Sequence, residues 1–338
     1  MLMRIGWARG SSWKRGGAQY WFRGVGNLDD NANANAVPMH VLSVLDTEKV
    51  NPATSEIDRM SPLEIVQLIN AEDEKVALAV RQVLPDIALA IEGIAARLRI
   101  GGRLIYVGAG TSGRLGALDA SECPPTFNIP QEMVVVCIAG GAQALGQAHE
   151  DLEDSAEAGS ADVARLGISE KDVVIGITAS GRTPYALGAI AYAKVRRALT
   201  IGLACNAHTP LEQEVEIMIA PLVGPEVISG STRLKAGTAQ KMVLNMLSTG
   251  TMILLGKTFG NLMVDVQATN YKLQQRALSI LRQATGLDVE AATRLLETSG
   301  GEVKTAILAI RANISPEQAR ERLAAHDNVL RAALDAAP

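Results

Sequence analysis

A rhythm constrains the fold more than any other feature: short β-rich apolar runs alternate with stretches of helical periodicity. The runs are Leu104–Val107, Val134–Ile138, Val173–Ile177, Leu199–Ala204 and Glu216–Ala220. Each has the length and composition of a buried strand and is bounded by turn residues. Strands alternating with helices predict an α/β fold with a parallel sheet of five strands, covered on both faces. Ligands of such sheets sit outside the carboxyl ends of the strands.

Two of those ends carry Ser/Thr/Gly turns. After Val107 comes a turn in which Gly108, Gly110 and Gly113 alternate with Thr111 and Ser112. A helix is expected to begin there, carry Arg114 and Asp119, and stop at Pro124-Pro125. Unpaired N–H groups and the positive end of the helix dipole make this turn an anion site, and the two hydroxyls add donors without bulk. After Ile177 comes Thr178-Ala179-Ser180-Gly181-Arg182-Thr183-Pro184, with Pro184 suited to a helix's first turn. Both turns belong to one predicted site. The glycines match the letters of a dinucleotide-binding turn, but no acidic residue closes a second strand about 20 residues on, where a ribose reader belongs. No GxxxxGK[ST] motif supports a nucleoside triphosphatase. A monophosphate fits better.

A third small-and-polar cluster, Gly224–Lys241, precedes an apolar stretch reaching Gly256. Ser231, Thr232 and Arg233 are its expected helix cap, and Lys235 is a weaker candidate to reach an anion. Lys241, Asn245 and Ser248 break the apolar stretch well short of the ~20 residues a membrane span needs. Leu262–Val266 and Tyr271–Ala284 continue the helical pattern. Beyond Thr285, Asp288–Glu297, Glu302–Arg311 and Ser315–Ala324 read as the helices of a small C-terminal domain.

Residues 39–100 are expected to be N-terminal helices packing on the core. Ser61-Pro62-Leu63-Glu64 supplies an N-cap, a proline at N1 and an acid at N3. Ile87, Ile91, Ile94 and Leu98 mark a second helix after Pro85. Thr54–Asp58 reads as a polar lead-in, with approach to a ligand as its alternative. The first 38 residues differ: they hold all three tryptophans and five basic residues before the first acid, Asp29. Without an apolar h-region they are not a secretory signal. An organelle transit peptide is one reading; the preferred one is an upstream start choice with Met39 as the true beginning, and in either case Asn31–Ala36 reads as a disordered linker.

A net charge of −4 gives no electrostatic case for nucleic acid or an anionic membrane. Cys123, Cys137 and Cys205 are scattered, odd in number and without CxxC, which suits reduced thiols in a cytoplasmic protein. The four histidines show no metal-ligand spacing, so a metal enzyme is disfavoured.

GAGTSGRLGALDASECPPTF, ASGRTPY and GPEVISGSTRLKAGTAQK together resemble the N-acetylmuramic acid 6-phosphate etherases, in the sugar-isomerase (SIS) superfamily and related to the glucokinase regulatory protein. The resemblance runs from about Val50 to Leu334 with its motifs in order. It implies a three-layer α/β/α sandwich, a SIS phosphosugar domain over residues 101–284, a helical domain over 285–338, and a homodimer with the site near the subunit interface. The implied reaction splits the lactyl ether of N-acetylmuramate 6-phosphate and needs neither metal nor redox cofactor. The family's two functional glutamates fall on Glu122 and Glu153. Glu122 is expected to protonate departing lactate and then activate water; Glu153 is the candidate C2 base. Without the resemblance, Glu122 reads as a helix-end acid beside a phosphate turn, and Glu153, among Glu150, Asp151 and Asp154, as part of a solvated face.

Gly110, Thr111, Ser112, Ser180, Gly181 and Thr183 are the expected phosphate ligands, although such residues also serve ordinary turns and caps. Arg182 is equally a surface ion pair or a partner for the phosphate or the lactyl carboxylate. An aldose–ketose phosphosugar isomerase and a non-catalytic phosphosugar-binding regulator remain the alternatives. A chain begun at Met39 is expected to fold with an unchanged melting temperature; loss of folding on that truncation would remove the preferred reading of the leader.

Overall fold

The computed structural model describes residues 45–146, 150–266 and 271–336. The leader read at residues 1–38, and Met39 itself, lie outside them. Three single 3-10 turns, Asp46–Glu48, Pro52–Thr54 and Ile57–Arg59, precede α1 (Pro62–Gln82) and α2 (Leu84–Arg99). α1 starts as its sequence predicts. The Ser61 hydroxyl accepts from the Glu64 N–H, the Glu64 carboxylate accepts from the Ser61 N–H, and Pro62 sits at the first helical position.

The chain then alternates: β1 (Leu104–Gly108), α3 (Gly110–Phe127), β2 (Val134–Ile138), α4 (Glu150–Glu153), α5 (Ala156–Arg165), β3 (Val173–Ile177), α6 (Pro184–Val195), β4 (Leu199–Leu203), α7 (Pro210–Glu214), β5 (Ile217–Ile219) and α8 (Lys235–Leu254). The five strands pair only in parallel, in the order β2-β1-β3-β4-β5. Strand periodicity sends Leu104 and Tyr106 into one core with α1, α2, α3 and α8. It sends Ile105 and Val107 into the other, with α5, α6 and α7. The result is the expected three-layer sandwich, with strands apolar on both faces because both are covered.

Three local expectations are corrected. α3 does not stop at Pro124-Pro125. It runs to Phe127 and ends at Asn128, a left-handed residue whose N–H reaches the Pro124 carbonyl. The prolines remove two N–H donors, but Cys123 and Phe127 are locked into the core, and that packing carries the last turn through. Leu262-Met263 is not helical. It forms β7 of a hairpin with β6 (Thr258–Phe259), because Gly260, at φ +58, opens a two-residue turn. Ser231, Thr232 and Arg233 do not cap α8. Glu226 does, its two carboxylate oxygens accepting from the N–H groups of Lys235 and Ala236 at 2.9 Å each.

A second core joins Val264 and Val266 to α9 (Tyr271–Thr285), α10 (Val289–Thr298), α11 (Val303–Ala312), α12 (Pro316–Ala325) and α13 (Leu330–Asp335). α9, placed with the larger domain on sequence, contributes Ala277, Ile280 and Leu281 to this smaller core instead. Its apolar positions recur at helical spacing, which fixes a face but not the partner that face will meet.

The two long helices α1 and α8 are joined by a buried ion pair. The Lys235 ammonium donates to Glu72 at 2.7 Å, and both side chains are nearly inaccessible. Lys75 donates to the other Glu72 oxygen at 2.6 Å. Burial pushes the Glu72 carboxyl up, but the hydrogen bonds from Lys235 and Lys75 outweigh it and hold it at about 2. A carboxyl with a lowered folded pKa stabilises the fold above its unfolded value and loses that contribution as pH falls. Unfolding midpoints are therefore expected to drop between pH 4.5 and about 2, with Glu72 as one source. Glu72→Gln leaves Lys235 buried and uncompensated and is expected to cost about 3–5 kcal/mol by denaturant titration at neutral pH. A cost under ~1 kcal/mol would show the pair to be dispensable.

Candidate active site

The strand order reverses direction at β1 and β3: β1 connects to β2 on one side, and the chain then crosses back to β3 on the other. Connections that diverge in this way leave a crevice at the carboxyl ends of the two strands, the usual ligand position in an open α/β sheet. Both predicted turns stand there.

The first turn passes from Gly108 through Ala109 into α3. Gly110 is at φ +51, and Ala109 supplies no side-chain cap, so the first-turn amides have no protein cap on that residue. Gly113 must be glycine for packing rather than for a ligand. A Cβ there would stand 2.6 Å from Ile138 Cγ1 and 2.7 Å from the Gly108 carbonyl oxygen. Thr111 is half-buried against α8, its methyl 3.5 Å from where a Cβ of Gly237 would be. The Ser112 hydroxyl turns inward to Gln240 of α8 at 3.0 Å. Its side chain is thus a packing group, and what Ser112 offers an anion is its backbone.

The second turn is a chain of hydroxyls. Thr178, named in this turn on sequence but not among the expected phosphate ligands, joins Ser180 at 3.2 Å and Thr183 at 2.8 Å. Ser180 also accepts from the Arg182 N–H at 3.2 Å. Thr178 and Thr183 are buried and Ser180 half-buried, so Ser180 is the hydroxyl of this turn most open to a ligand. Gly181, at φ +69, lies so close to Thr209 that a Cβ would fall 2.4 Å from the Thr209 Cβ. Among the described residues the Arg182 Nε is buried with no hydrogen-bond partner, a donor in need of an acceptor within the second turn.

The two glutamates are placed very differently. Glu153, the last residue of α4, brings Oε2 to 4.0 Å from the point a Cβ on Gly110 would occupy. It stands at the anion turn, half-buried, not on a solvated face. Glu122 is exposed on α3, 12 residues after Gly110, or about 18 Å along the helix axis at 1.5 Å per residue. Closeness in sequence to the turn therefore does not bring Glu122 to it within one protomer. Lys235 is likewise withdrawn, its ammonium held by Glu72 inside the fold. A side chain nearly without exposed area is not an anion ligand as it stands.

Within Thr54–Asp58, Ser55, Glu56 and Asp58 are exposed, as a polar lead-in has them, and Thr54 alone is buried. The Thr54 hydroxyl donates to the Val227 carbonyl at 2.8 Å. Upstream, Asn206 donates to Thr47 at 3.0 Å and to the Ala179 carbonyl, inside the second turn, at 2.9 Å. Asn206 thereby ties the N-terminal segment to the site. Neither it nor Gln240 carries a local sequence signal, since both act across more than 100 residues. A separate cavity of about 1110 Å³ lies among Lys257, Asp265, α9 and the C-terminal helices, and none of the predicted site residues lines it.

This architecture, with phosphate-type turns after β1 and β3, is that of a sugar-isomerase domain. The family model for the SIS domain matches residues 146–250, and that for the glucokinase regulatory protein N-terminal SIS domain matches residues 86–194. Over nearly the whole described chain the likeness is more specific. The chain is 54% identical over 293 residues to the N-acetylmuramic acid 6-phosphate etherase of Pectobacterium atrosepticum, covering 87% of this chain and 97% of that one. Against the etherase of Rhodopirellula baltica it is 54% identical over 285 residues, 84% of this chain and 94% of that one. The chain belongs to the N-acetylmuramic acid 6-phosphate etherase family.

Both turn glycines adopt left-handed backbone, but only Gly181 lacks room for a methyl group. Gly110→Ala is expected to cost about 1–2 kcal/mol from backbone strain alone, and Gly181→Ala more than that. Thermal melts of the two variants check the order, and a Gly110→Ala variant less stable than Gly181→Ala would contradict it.

Proposed function

We propose that this protein cleaves the D-lactyl ether of N-acetylmuramate 6-phosphate, giving N-acetylglucosamine 6-phosphate and D-lactate in the catabolism of cell-wall amino sugar. One observation carries the assignment of the site: a carboxylate, Glu153, stands against the glycine of an anion-binding helix turn. The phosphate is held by the first-turn amides at Gly110–Ser112, by Thr111, and by the turn at Ser180–Thr183. Arg182, with its unpartnered Nε, is the cation for the lactyl carboxylate or the phosphate.

An ether oxygen on an unactivated carbon is a poor leaving group, so direct displacement by water is slow. In the ring-opened sugar the C1 aldehyde makes the C2 proton acidic. Glu153 takes that proton as lactate leaves C3 with a proton from Glu122. Water then adds to the C3 end of the unsaturated aldehyde, giving its proton to Glu122, and C2 recovers a proton from Glu153. The sequence is balanced and leaves both carboxyl groups as they began.

Glu122 enters this chemistry from a second protomer. Its helix, α3, packs on α8, and the outer face of α8 carries an apolar groove against α2, lined by Leu84, Ile87, Ile91, Met242 and Met246. Leu89, Ile253 and Leu254 add exposed apolar area on the same two helices. A two-fold dimer closing this face buries that area and turns the exposed flank of each α3 towards the other subunit. Among the described residues no helix is long and apolar enough to cross a membrane; we place the enzyme in the cytoplasm, where its three buried thiols stay reduced.

The test is D-lactate release from N-acetylmuramate 6-phosphate. Glu153→Gln and Glu122→Gln are each expected to lose about 10²–10⁴-fold in turnover, the span of general acid–base catalysis. Mixing the two inactive variants after dissociation is expected to restore about a quarter of wild-type activity, since half of randomly re-formed two-fold dimers carry one intact site. Absence of lactate with wild type would overturn the activity; absence of restoration would overturn the shared site.

A further inference from the structure

We propose that Asn206 is a positioning residue for the substrate phosphate: it holds the Ala179 carbonyl on one side of the second turn and so aims the Ser180 N–H at the anion. Thr47 of the N-terminal segment holds Asn206 in its turn. Both roles rest on the reading of Ser180–Thr183 as a phosphate turn.

The direction of the Ser180 N–H follows from the sheet. β3 lies between β1 and β4. Beyond the last residue of β3 the ladder continues towards β4. The Thr178 N–H donates to the Leu203 carbonyl at 3.0 Å, and the Ala179 carbonyl accepts from the Cys205 N–H at 3.0 Å. Asn206 Nδ2 donates to the same Ala179 carbonyl at 2.9 Å. A trans peptide is planar, with its C=O and N–H pointing in opposite directions. With the Ala179 oxygen fixed on the β4 side, the Ser180 N–H points to the β1 side, where the first anion turn begins. Among the described residues neither the Ser180 N–H nor the Gly181 N–H has a protein acceptor. Both are donors for an anion lying between the two turns.

A backbone carbonyl has two lone pairs. The Cys205 N–H takes one, and a single hydrogen bond leaves the peptide free to rock about it. Asn206 takes the other and removes that freedom.

An amide is the side chain this position requires. The Thr47 N–H donates to Asn206 Oδ1 at 3.4 Å, while Nδ2 donates to the Thr47 hydroxyl at 3.0 Å as well as to Ala179. One end of the carboxamide thus faces a backbone donor and the other a backbone acceptor, which settles its orientation. Asn206 and Thr47 are both buried, so water does not stand in for either partner. Thr47 is the middle residue of the 3-10 turn Asp46–Glu48. A segment ahead of α1 therefore braces a turn at the far end of β3.

The experiment compares wild type with Asn206→Ala, Asn206→Asp, Thr47→Val and the double variant Thr47→Val/Asn206→Ala, all in the full chain. Affinity for N-acetylglucosamine 6-phosphate is measured by titration calorimetry, beside lactate kinetics and melting temperature. Asn206→Ala is expected to weaken phosphosugar binding and raise KM about 10-fold. Its kcat is expected to stay within about threefold of wild type, the signature of lost ground-state binding. Asn206→Asp is expected to bind more weakly still, because a carboxylate repels the Ala179 carbonyl and the anion alike. A merely structural tie would lower both melting temperatures and leave the affinity of the folded protein unchanged. Thr47→Val is expected to lose about threefold in affinity. The double variant is expected to be no weaker than Asn206→Ala, since Thr47 acts through Asn206. Unchanged affinity in Asn206→Ala, a loss confined to kcat, or tighter binding by Asn206→Asp than by Asn206→Ala would each overturn the proposal. Losses that multiply in the double variant would overturn the part given to Thr47. If Asn206→Ala does not fold, wild-type affinity in Thr47→Val overturns it equally. A wild type that binds the phosphosugar but releases no lactate removes the etherase reading alone, and the affinities still decide the role of Asn206. One that binds no phosphosugar overturns the phosphate turn, and this proposal with it.

Discussion

Everything at this site depends on the reversal of strand order between β1 and β3. Parallel strands buried on both faces leave their backbone groups satisfied along their length and unsatisfied only at their ends. Where the connections diverge, the helices that would cover those ends splay apart. The crevice then exposes two helix-leading turns side by side. Glycine at 110 and 181 lets the backbone take left-handed conformations there, and hydroxyls fill the space that larger side chains would block. An anion is the natural occupant, because the local partial charge is positive before any lysine or arginine is added.

The third motif does a different task from the one its polar composition suggests. Glu226 caps α8, Lys235 pairs with Glu72 of α1, and Gln240 receives the Ser112 hydroxyl. These contacts lock α8 to α1 and to the start of α3. The dense run of small residues between Gly224 and Lys241 is thus a fastening plate behind the site. A buried ion pair of this kind gives little net stability over an apolar substitute, yet losing one partner is severe. That asymmetry makes it a device for fixing register between helices.

The two glutamates show how far chain order misleads about space. Glu122 and the anion turn share one helix and a few lines of sequence, and the rigidity of that helix is what separates them. Glu153 lies later in the chain, among acids that look like a solvated surface, yet its carboxylate stands at Gly110. A rigid element converts sequence separation into distance at a fixed rise per residue, whereas a loop can return to its origin.

The sequence by itself determined the layered α/β fold, the start of α1 at its capping box, the five strands and the two turns that meet at the crevice. These are local matters: strand composition, cap chemistry and glycine backbone act within a few residues. Family motifs quoted from the chain added the reaction. The tertiary structure decided which polar groups face the ligand and which face the core. It turned Ser112 and Lys235 inward, extended α3 past two prolines, moved α9 into the smaller core, and brought Thr178, Asn206 and Gln240 into the fabric of the site. Each of those outcomes was set by packing between segments remote in the chain, and short-range pattern carries no record of the partner a side chain will meet.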